Sequence, residues 1–291
     1  MPYLMNKVED LLKYTKSALQ KVGIKSYSLD GDLLVASSCG LNTREELLLS
    51  LNEKVEISVL NKCEELISRR IKGEPIAYIL RKAEFWDFNL DVTRDVLIPR
   101  SDSETIIEVV LKTLNKRDIT NKELRVLDLG TGSGCLIIAL LKIFSNARGV
   151  ATDISNAALQ VAKTNAKKFK LDNRISFLKS NWFQSLSQDQ KYDIIVCNPP
   201  YIRLSEWNRL EKDVKNYEPK MSLTDNADGL THYRAITKKL HDYLKESGIA
   251  LFEIGDNQKE QVSEIFVKKG FETRSFYDLS GMHRVILATA K

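Results

Sequence analysis

The chain has 291 residues, of which 43% are hydrophobic and 29% charged, and a formal net charge of +5. That length suits one large domain or two smaller ones with a real core, and the composition is that of an ordinary globular protein. The lysines are spread rather than blocked, so the charge permits an acidic or nucleic-acid partner without pointing to one. Cys39, Cys63, Cys135 and Cys197 lie far apart with no C-x-x-C pair, and His232, His241 and His283 are equally scattered. That spacing leaves no metal site and favours buried free thiols in a reducing compartment. With no secretory h-region and no long apolar run, a cytoplasmic chain is expected.

Val8, Leu11, Leu12, Ala18, Leu19 and Val22 recur at helical spacing, and Leu33 to Ala36 suggests a second short helix. Thr43-Arg44-Glu45-Glu46 has the form of a capping box ahead of Leu47, Leu48, Leu49 and Leu51. The period continues through Val59, Leu60, Cys63, Leu66 and Ile67 to Arg70, so residues 1–75 read as a small helical bundle. Residues 76–100 read as a β-hairpin linker, apolar and polar residues alternating from Phe88. Ser101 with Glu104 fits a second capping box, opening a helix with Ile106, Ile107, Val110, Leu111 and Leu114. Arg100, just before it, is read either as a cofactor or substrate contact or as a surface arginine paired with a nearby Glu.

From residue 122 strands alternate with helices, the signal of a parallel α/β sheet, and residues 101–291 read as one domain. The strand Leu124 to Leu129 runs into Gly130-Thr131-Gly132-Ser133-Gly134 and then a helix. Small residues let backbone amides approach a ligand, and the turn ends at a positively polarised helix N-terminus. The glycines fall at every second position, and this G-x-G-x-G form after Asp128 resembles motif I of the class I S-adenosylmethionine-dependent methyltransferases. Asp153 ends the second strand, where an acid accepts both ribose hydroxyls of a nucleoside cofactor by the logic of dinucleotide folds. A third strand, Ile175 to Leu178, leads to Asn181 and Trp182. The class I resemblance makes these two adenine-side candidates; core packing is the other reading of Trp182.

The fourth strand, Ile194 to Cys197, delivers Asn198-Pro199-Pro200-Tyr201. Proline lacks an N–H and fixes φ, so the pair ends the ladder in a stiff turn at the sheet edge where ligands bind. Methyl transfer to a planar nitrogen needs its N–H₂ turned out of conjugation. Asn198 Oδ1 and the Pro199 carbonyl are acceptors suited to that, with Pro200 stiffening the turn and Tyr201 stacking on the planar group. Glutamine amide, adenine N6 and cytosine N4 all fit. A long loop follows, then strand Ile249 to Ile254, a helix over Val262 to Val267, and a C-terminal hairpin, Phe271 to Phe276 with Arg284 to Ala290. The expected fold is therefore a seven-stranded, mostly parallel class I methyltransferase sheet with an antiparallel last strand, beside a helical domain.

Gly73-Glu74-Pro75-Ile76-Ala77-Tyr78, Glu84-Phe85, Leu97-Ile98-Pro99-Arg100, Asn198 to Tyr201, Tyr217-Glu218-Pro219, Asp228-Gly229-Leu230 and Glu253-Ile254-Gly255 with Gln258 together resemble the release-factor glutamine methyltransferases of the PrmC/HemK type. The resemblance implies methylation of the glutamine N5 amide in the Gly-Gly-Gln loop of class I peptide-chain release factors, with S-adenosylmethionine as donor. It implies that Gly130 to Gly134, Asp153, Trp182 and Asn198 hold the cofactor, that Asn198 to Tyr201 hold the glutamine, and that the helical domain contacts the release factor. A monomer without direct nucleic-acid or membrane binding is expected. Two stretches depart from the family: Ser101 and Ser103 interrupt its Pro-Arg-Pro-Asp/Glu-Thr-Glu run, and Arg81 stands where glycine is common. The alternatives are an adenine-N6 nucleic-acid methyltransferase, which shares the Asn-Pro-Pro-Tyr chemistry, and a non-catalytic binding factor with this fold. The balanced charges of the 203–228 loop do not favour the first, and retention of Asp153 and Asn198 counts against the second.

Overall fold

The computed structural model describes residues 6–114 and 123–291. The first five residues of the expected 1–75 bundle, and positions 115–122 of the expected 101–291 domain, lie outside the described residues. Two compact units emerge: one runs up to Arg81 and adds Lys212–Tyr217, and the other holds Lys82–Glu211 and Glu218–Lys291.

In the first unit, helices Val8–Lys21, Tyr27–Ser38, Arg44–Leu49, Ile57–Ile71 and Ile76–Leu80 enclose a core that includes Leu11, Leu19, Leu34, Leu47, Cys63 and Ile79. Thr43 does cap its helix, its side chain accepting from Glu46 N at 3.1 Å. Apolar packing alone does not set the register of this small bundle. Asp30 and Asp32 are buried and ion-paired, Asp30 with Arg70 and Asp32 with Lys16 and Arg44. Glu74, also buried, takes a two-pronged pair from Arg69. Removing one member of such a pair strands a buried charge. Arg81 ends the last helix with φ 57°, a left-handed conformation that explains why glycine suits this place in the family. The Tyr217 hydroxyl donates to the Lys72 carbonyl, beside Gly73.

The second unit opens with an antiparallel hairpin, β1 (Lys82–Phe85) and β2 (Phe88–Asp91). The stretch 76–100 is thus not one element, since Ile76–Leu80 is helical and belongs to the first unit. Among the described residues a seven-stranded sheet follows: β3 (Arg125–Leu129), β4 (Arg148–Asp153), β5 (Ile175–Lys179), β6 (Tyr192–Cys197), β7 (Leu244–Glu253), β8 (Phe271–Tyr277) and β9 (His283–Ala290). They lie in the order β5-β4-β3-β6-β7-β9-β8, with β9 antiparallel to both neighbours and the other pairings parallel.

Period-2 alternation explains why these strands read as continuous apolar runs. Val126, Ile194, Val196, Ile249, Leu251, Val285 and Leu287 face one core cluster. Leu127, Leu129, Ile195, Cys197, Ala250, Phe252, Ile286 and Ala288 face the other. The register aligns each row, Val126 beside Ile194 and Ile194 beside Ile249, so the sheet is buried on both faces. Strand order reverses between β3 and β6, the topological switch point where a crevice opens at the carboxyl ends of the strands. The glycine turn follows β3 and Asn198 follows β6.

The helix Glu104–Thr113 forms as its apolar period requires, but its start differs from the expected capping box. Ser101–Ser103 is a 3₁₀ turn with no side-chain cap, and the Glu104 carboxylate instead accepts Trp86 N of the hairpin at 2.8 Å. The expectation that all four thiols are buried also needs correction. Cys63 and Cys197 are buried, but Cys39 and Cys135 are only half-buried because each lies at a helix end rather than mid-core.

Candidate active site

A cavity of about 290 Å³ opens at the switch point of the second unit. Its wall includes Gly130, Thr131, Gly132, Ser133, Asp153, Asn181, Trp182, Asn198 and Pro200 from the sequence-derived set. Gly134, Pro199 and Tyr201 do not line it.

The glycine turn is held from below. Gly130 N and Thr131 N donate to the Thr152 carbonyl at 2.9 and 2.8 Å, and Thr131 Oγ1 donates to Asp128 Oδ2 at 2.6 Å. Burial pushes the Asp128 carboxyl up to about 7. Gly134 has a packing role: at φ 84° a Cβ would meet Ile138 at 3.2 Å and Ala162 at 3.3 Å, so glycine lets the Cys135–Ile143 helix approach the Asn156–Lys168 helix. Asn165, fully buried in the latter helix, donates to the Ser133 and Asp91 carbonyls and accepts Asp91 N, tying the turn to the hairpin.

Asp153 closes one side. Its Oδ2 accepts Gly132 N at 3.0 Å and its Oδ1 accepts Ser155 N at 2.8 Å. Burial raises its pKa despite these bonds. Each carboxylate oxygen keeps a further lone pair toward the cavity, which is the donor-hungry surface a ribose diol satisfies. Beside it, Ile154 is 49% exposed although aliphatic, and lines the cavity. Trp182, at φ 53°, stands 3.6 Å from where a Gly130 Cβ would lie and meets His232 edge-on with ring centroids 5.1 Å apart. It is therefore both a core-packing residue and a cavity wall. A cavity with Ile154 and Trp182 beside the Asp153 carboxylate fits an adenosyl group.

At the other side, Asn198 Nδ2 donates to Ser103 Oγ at 3.1 Å. Ser103 Oγ donates to Glu253 Oε2 at 2.5 Å, and the Tyr201 hydroxyl donates to Glu253 Oε1 at 3.2 Å. Tyr201 thus turns toward the core and Glu253, which is why its ring is absent from the cavity wall. Ser103 stands where the family has threonine, and keeps the hydroxyl.

The separate sequence blocks meet here. Glu218, whose side chain is 1% exposed, accepts from Ile98 N and pairs with Arg100, 118 residues away. Arg100 is therefore paired with a Glu, as one reading held, while also lining the cavity. Gln258 accepts Gly255 N through Oε1 and donates through Nε2 to the carbonyls of Tyr201 and Gly229. Gly229 has φ 77°, and a Cβ there would lie 2.3 Å from the Tyr201 carbonyl oxygen and 2.8 Å from Gln258 Nε2. Gly229→Ala should therefore destabilise the protein by about 2–4 kcal/mol, adding left-handed strain to a backbone clash. A thermal melt checks this, and an unchanged melting temperature would contradict the geometry.

Sequence reasoning did not single out Ile154, Asn165, Ser103 or Glu253 for these places. The signal for Ile154 was available, as an apolar residue directly after a strand-ending acid. The others act across long sequence separations.

Comparison with known proteins identifies the family. The family described as PrmC N-terminal domain matches residues 10–80, and the one described as Methyltransferase domain matches residues 120–278. A release factor glutamine methyltransferase of Fusobacterium nucleatum is 36% identical over 286 residues, covering 97% of this chain and 79% of that protein. This chain belongs to the release factor glutamine methyltransferase family. A bifunctional methyltransferase of Rickettsia conorii is 37% identical over 96% of the chain, which spans only 57% of that protein's length. In fold, a methyltransferase from Pyrococcus furiosus superposes with a TM-score of 0.51 at 16% identity, over 77% of this chain and 98% of that one. The glycine turn, Asp153 and Asn198 line one cavity, and no helix among the described residues is long and apolar enough to cross a membrane.

Proposed function

We propose that this chain transfers a methyl group from S-adenosylmethionine to the N5 amide of the glutamine in the Gly-Gly-Gln loop of class I peptide-chain release factors. The observation that carries the reading is the Asn198 carboxamide, on the cavity wall with Nδ2 engaged by Ser103. S-adenosylmethionine, when bound, supplies a methyl group activated by its sulfonium. Asp153 would hold its ribose, Ile154 and Trp182 its adenine, and the Gly130–Ser133 turn the remainder, all of them residues of the cavity wall.

The glutamine amide is a weak nucleophile because its lone pair is delocalised. Asn198 Oδ1 would accept one of its N–H hydrogens, and the Pro199 carbonyl, beside the cavity rather than on its wall, is the proposed acceptor for the other, which would turn the nitrogen lone pair out of conjugation. Pro199 and Pro200 restrict the turn that carries both acceptors. No strong base is required, since a methylated amide nitrogen carrying an extra proton sheds it readily. Tyr201 supports the turn through Glu253.

The release factor is the proposed partner, engaged through the helical first unit, and the enzyme acts as a monomer in the cytoplasm. The names of the relatives support this substrate. The test is transfer of labelled methyl from S-adenosylmethionine to a purified release factor, with a Gln→Ala variant of its Gly-Gly-Gln loop as control. Label on the factor, absent from the variant, is expected. Strong labelling of DNA with none on the factor would overturn the assignment in favour of an adenine-N6 enzyme.

A further inference from the structure

Four polar side chains, Asn198 and Ser103 on the cavity wall and Tyr201 and Glu253 behind it, form one network of hydrogen bonds. Its terminus is Glu253, 1% exposed at the end of β7, beside Ser103, which is 2% exposed. The Glu253 carboxyl is pushed up to about 6, chiefly by burial, with the hydrogen bonds and Arg284 opposing. Both of its oxygens accept, Oε1 from Tyr201 and Oε2 from Ser103, the pattern of a carboxylate, which has no proton to give. Burial also raises the Tyr201 pKa, so its hydroxyl keeps its proton and spends it on Glu253 Oε1. Ser103 has one hydroxyl proton, and it faces Glu253 Oε2 at 2.5 Å. Toward Asn198, Ser103 Oγ has only a lone pair left, so the Asn198 atom against it must be Nδ2, 3.1 Å away. The proton inventory, starting from a buried charge, thus determines the orientation of the carboxamide and leaves Oδ1 for the cavity.

We infer that Ser103 and Glu253 are positioning residues that fix which end of the Asn198 carboxamide faces the acceptor amide. The inference rests on the proposed methyl transfer, for which an oxygen at that place is an acceptor for the glutamine N–H and a nitrogen is a repulsive donor. Neither residue touches the reacting atoms in this scheme; both act through Asn198.

The test uses the full chain and the isosteric pair S103T and S103V, with S103A as a smaller hydroxyl-free variant that cannot clash. The kcat, the KM for release factor and the Kd for S-adenosylhomocysteine are measured, together with hydrogen exchange of the Asn198 side-chain amide by NMR. S103T should retain most of the turnover. S103V and S103A should lose at least about tenfold in kcat, equivalent to one hydrogen bond, while KM and Kd stay within about twofold. E253A, which leaves the Ser103 proton without its acceptor and free to turn to Asn198, should lose at least as much. The Asn198 amide protons should be protected in the wild type and S103T and unprotected in S103V and S103A.

Equal kcat for S103T and S103V, or near-normal turnover of E253A, overturns the inference. Amide exchange that is indifferent to the Ser103 hydroxyl does so as well, whatever the substrate. If wild type fails to label release factor but the exchange pattern holds, the substrate reading fails and the orientation by Ser103 stands.

Discussion

Replacing Asn198 with alanine is expected to lower turnover on the order of 100-fold or more while leaving S-adenosylhomocysteine affinity within about threefold, the cost of deleting a preorganised group aimed at the reacting centre. The split follows from where the side chain sits. The proposed cofactor end of the cavity is formed by Gly130 to Ser133, Asp153, Ile154 and Trp182, and the hydrogen bonds that hold Asp153 do not involve the Asn198 carboxamide. Asn198 is bonded instead to Ser103, on the wall that carries the Asn-Pro-Pro-Tyr turn. Alanine removes the side-chain acceptor that the turn would offer to the proposed glutamine amide. Single-turnover rates measured with saturating cofactor, alongside calorimetric titration, separate the two effects. Near-normal turnover in the variant would remove Asn198 from the mechanism.

Asp153→Ala should do the reverse, weakening cofactor binding by roughly 100-fold, as expected for a loss of about 2–3 kcal/mol in charge-assisted hydrogen bonds. Asp153→Asn should lose nearly as much. Both carboxylate oxygens already accept backbone N–H groups, Gly132 on Oδ2 and Ser155 on Oδ1. Asparagine has a single acceptor oxygen, so its N–H₂ would face one of those N–H groups and leave it unpaired. Burial raises the Asp153 pKa above the ordinary carboxylate range. The ionised form is the one that accepts ribose hydroxyls, so affinity should hold at high pH and fall as pH drops through that raised value, earlier than for an ordinary carboxylate. Titrating S-adenosylhomocysteine binding against pH reads this directly, and unchanged affinity in Asp153→Ala would count against the ribose contact.

Local pattern was enough for much of this protein. β-Branched runs ending in Gly, Asp or Asn-Pro marked the strands, and their two-sided burial in the structure is what makes such runs continuous rather than alternating. Gly130 to Gly134, Asp153 and Asn198 were legible because each ends a strand at the same edge, where topology rather than side-chain contact brings residues together. Capping was less secure. Thr43 caps its helix as its short-range pattern implies, whereas Ser101 with Glu104 has the same pattern and does not, because Trp86 N claims the Glu104 carboxylate.

By itself, the sequence determined the parallel sheet, the glycine turn, the acid and the amide at the strand ends, since these depend on residue type and spacing within a few turns of chain. Only the tertiary structure decided that Tyr201 turns away from the cavity, that Glu218 holds Arg100, and that Glu253 reaches Asn198 through Ser103. Those links join residues 52 to 150 positions apart. A hydrogen bond's direction depends on which partners are buried with it, and burial of a carboxylate such as Glu253 is a property of the folded core that no local pattern carries.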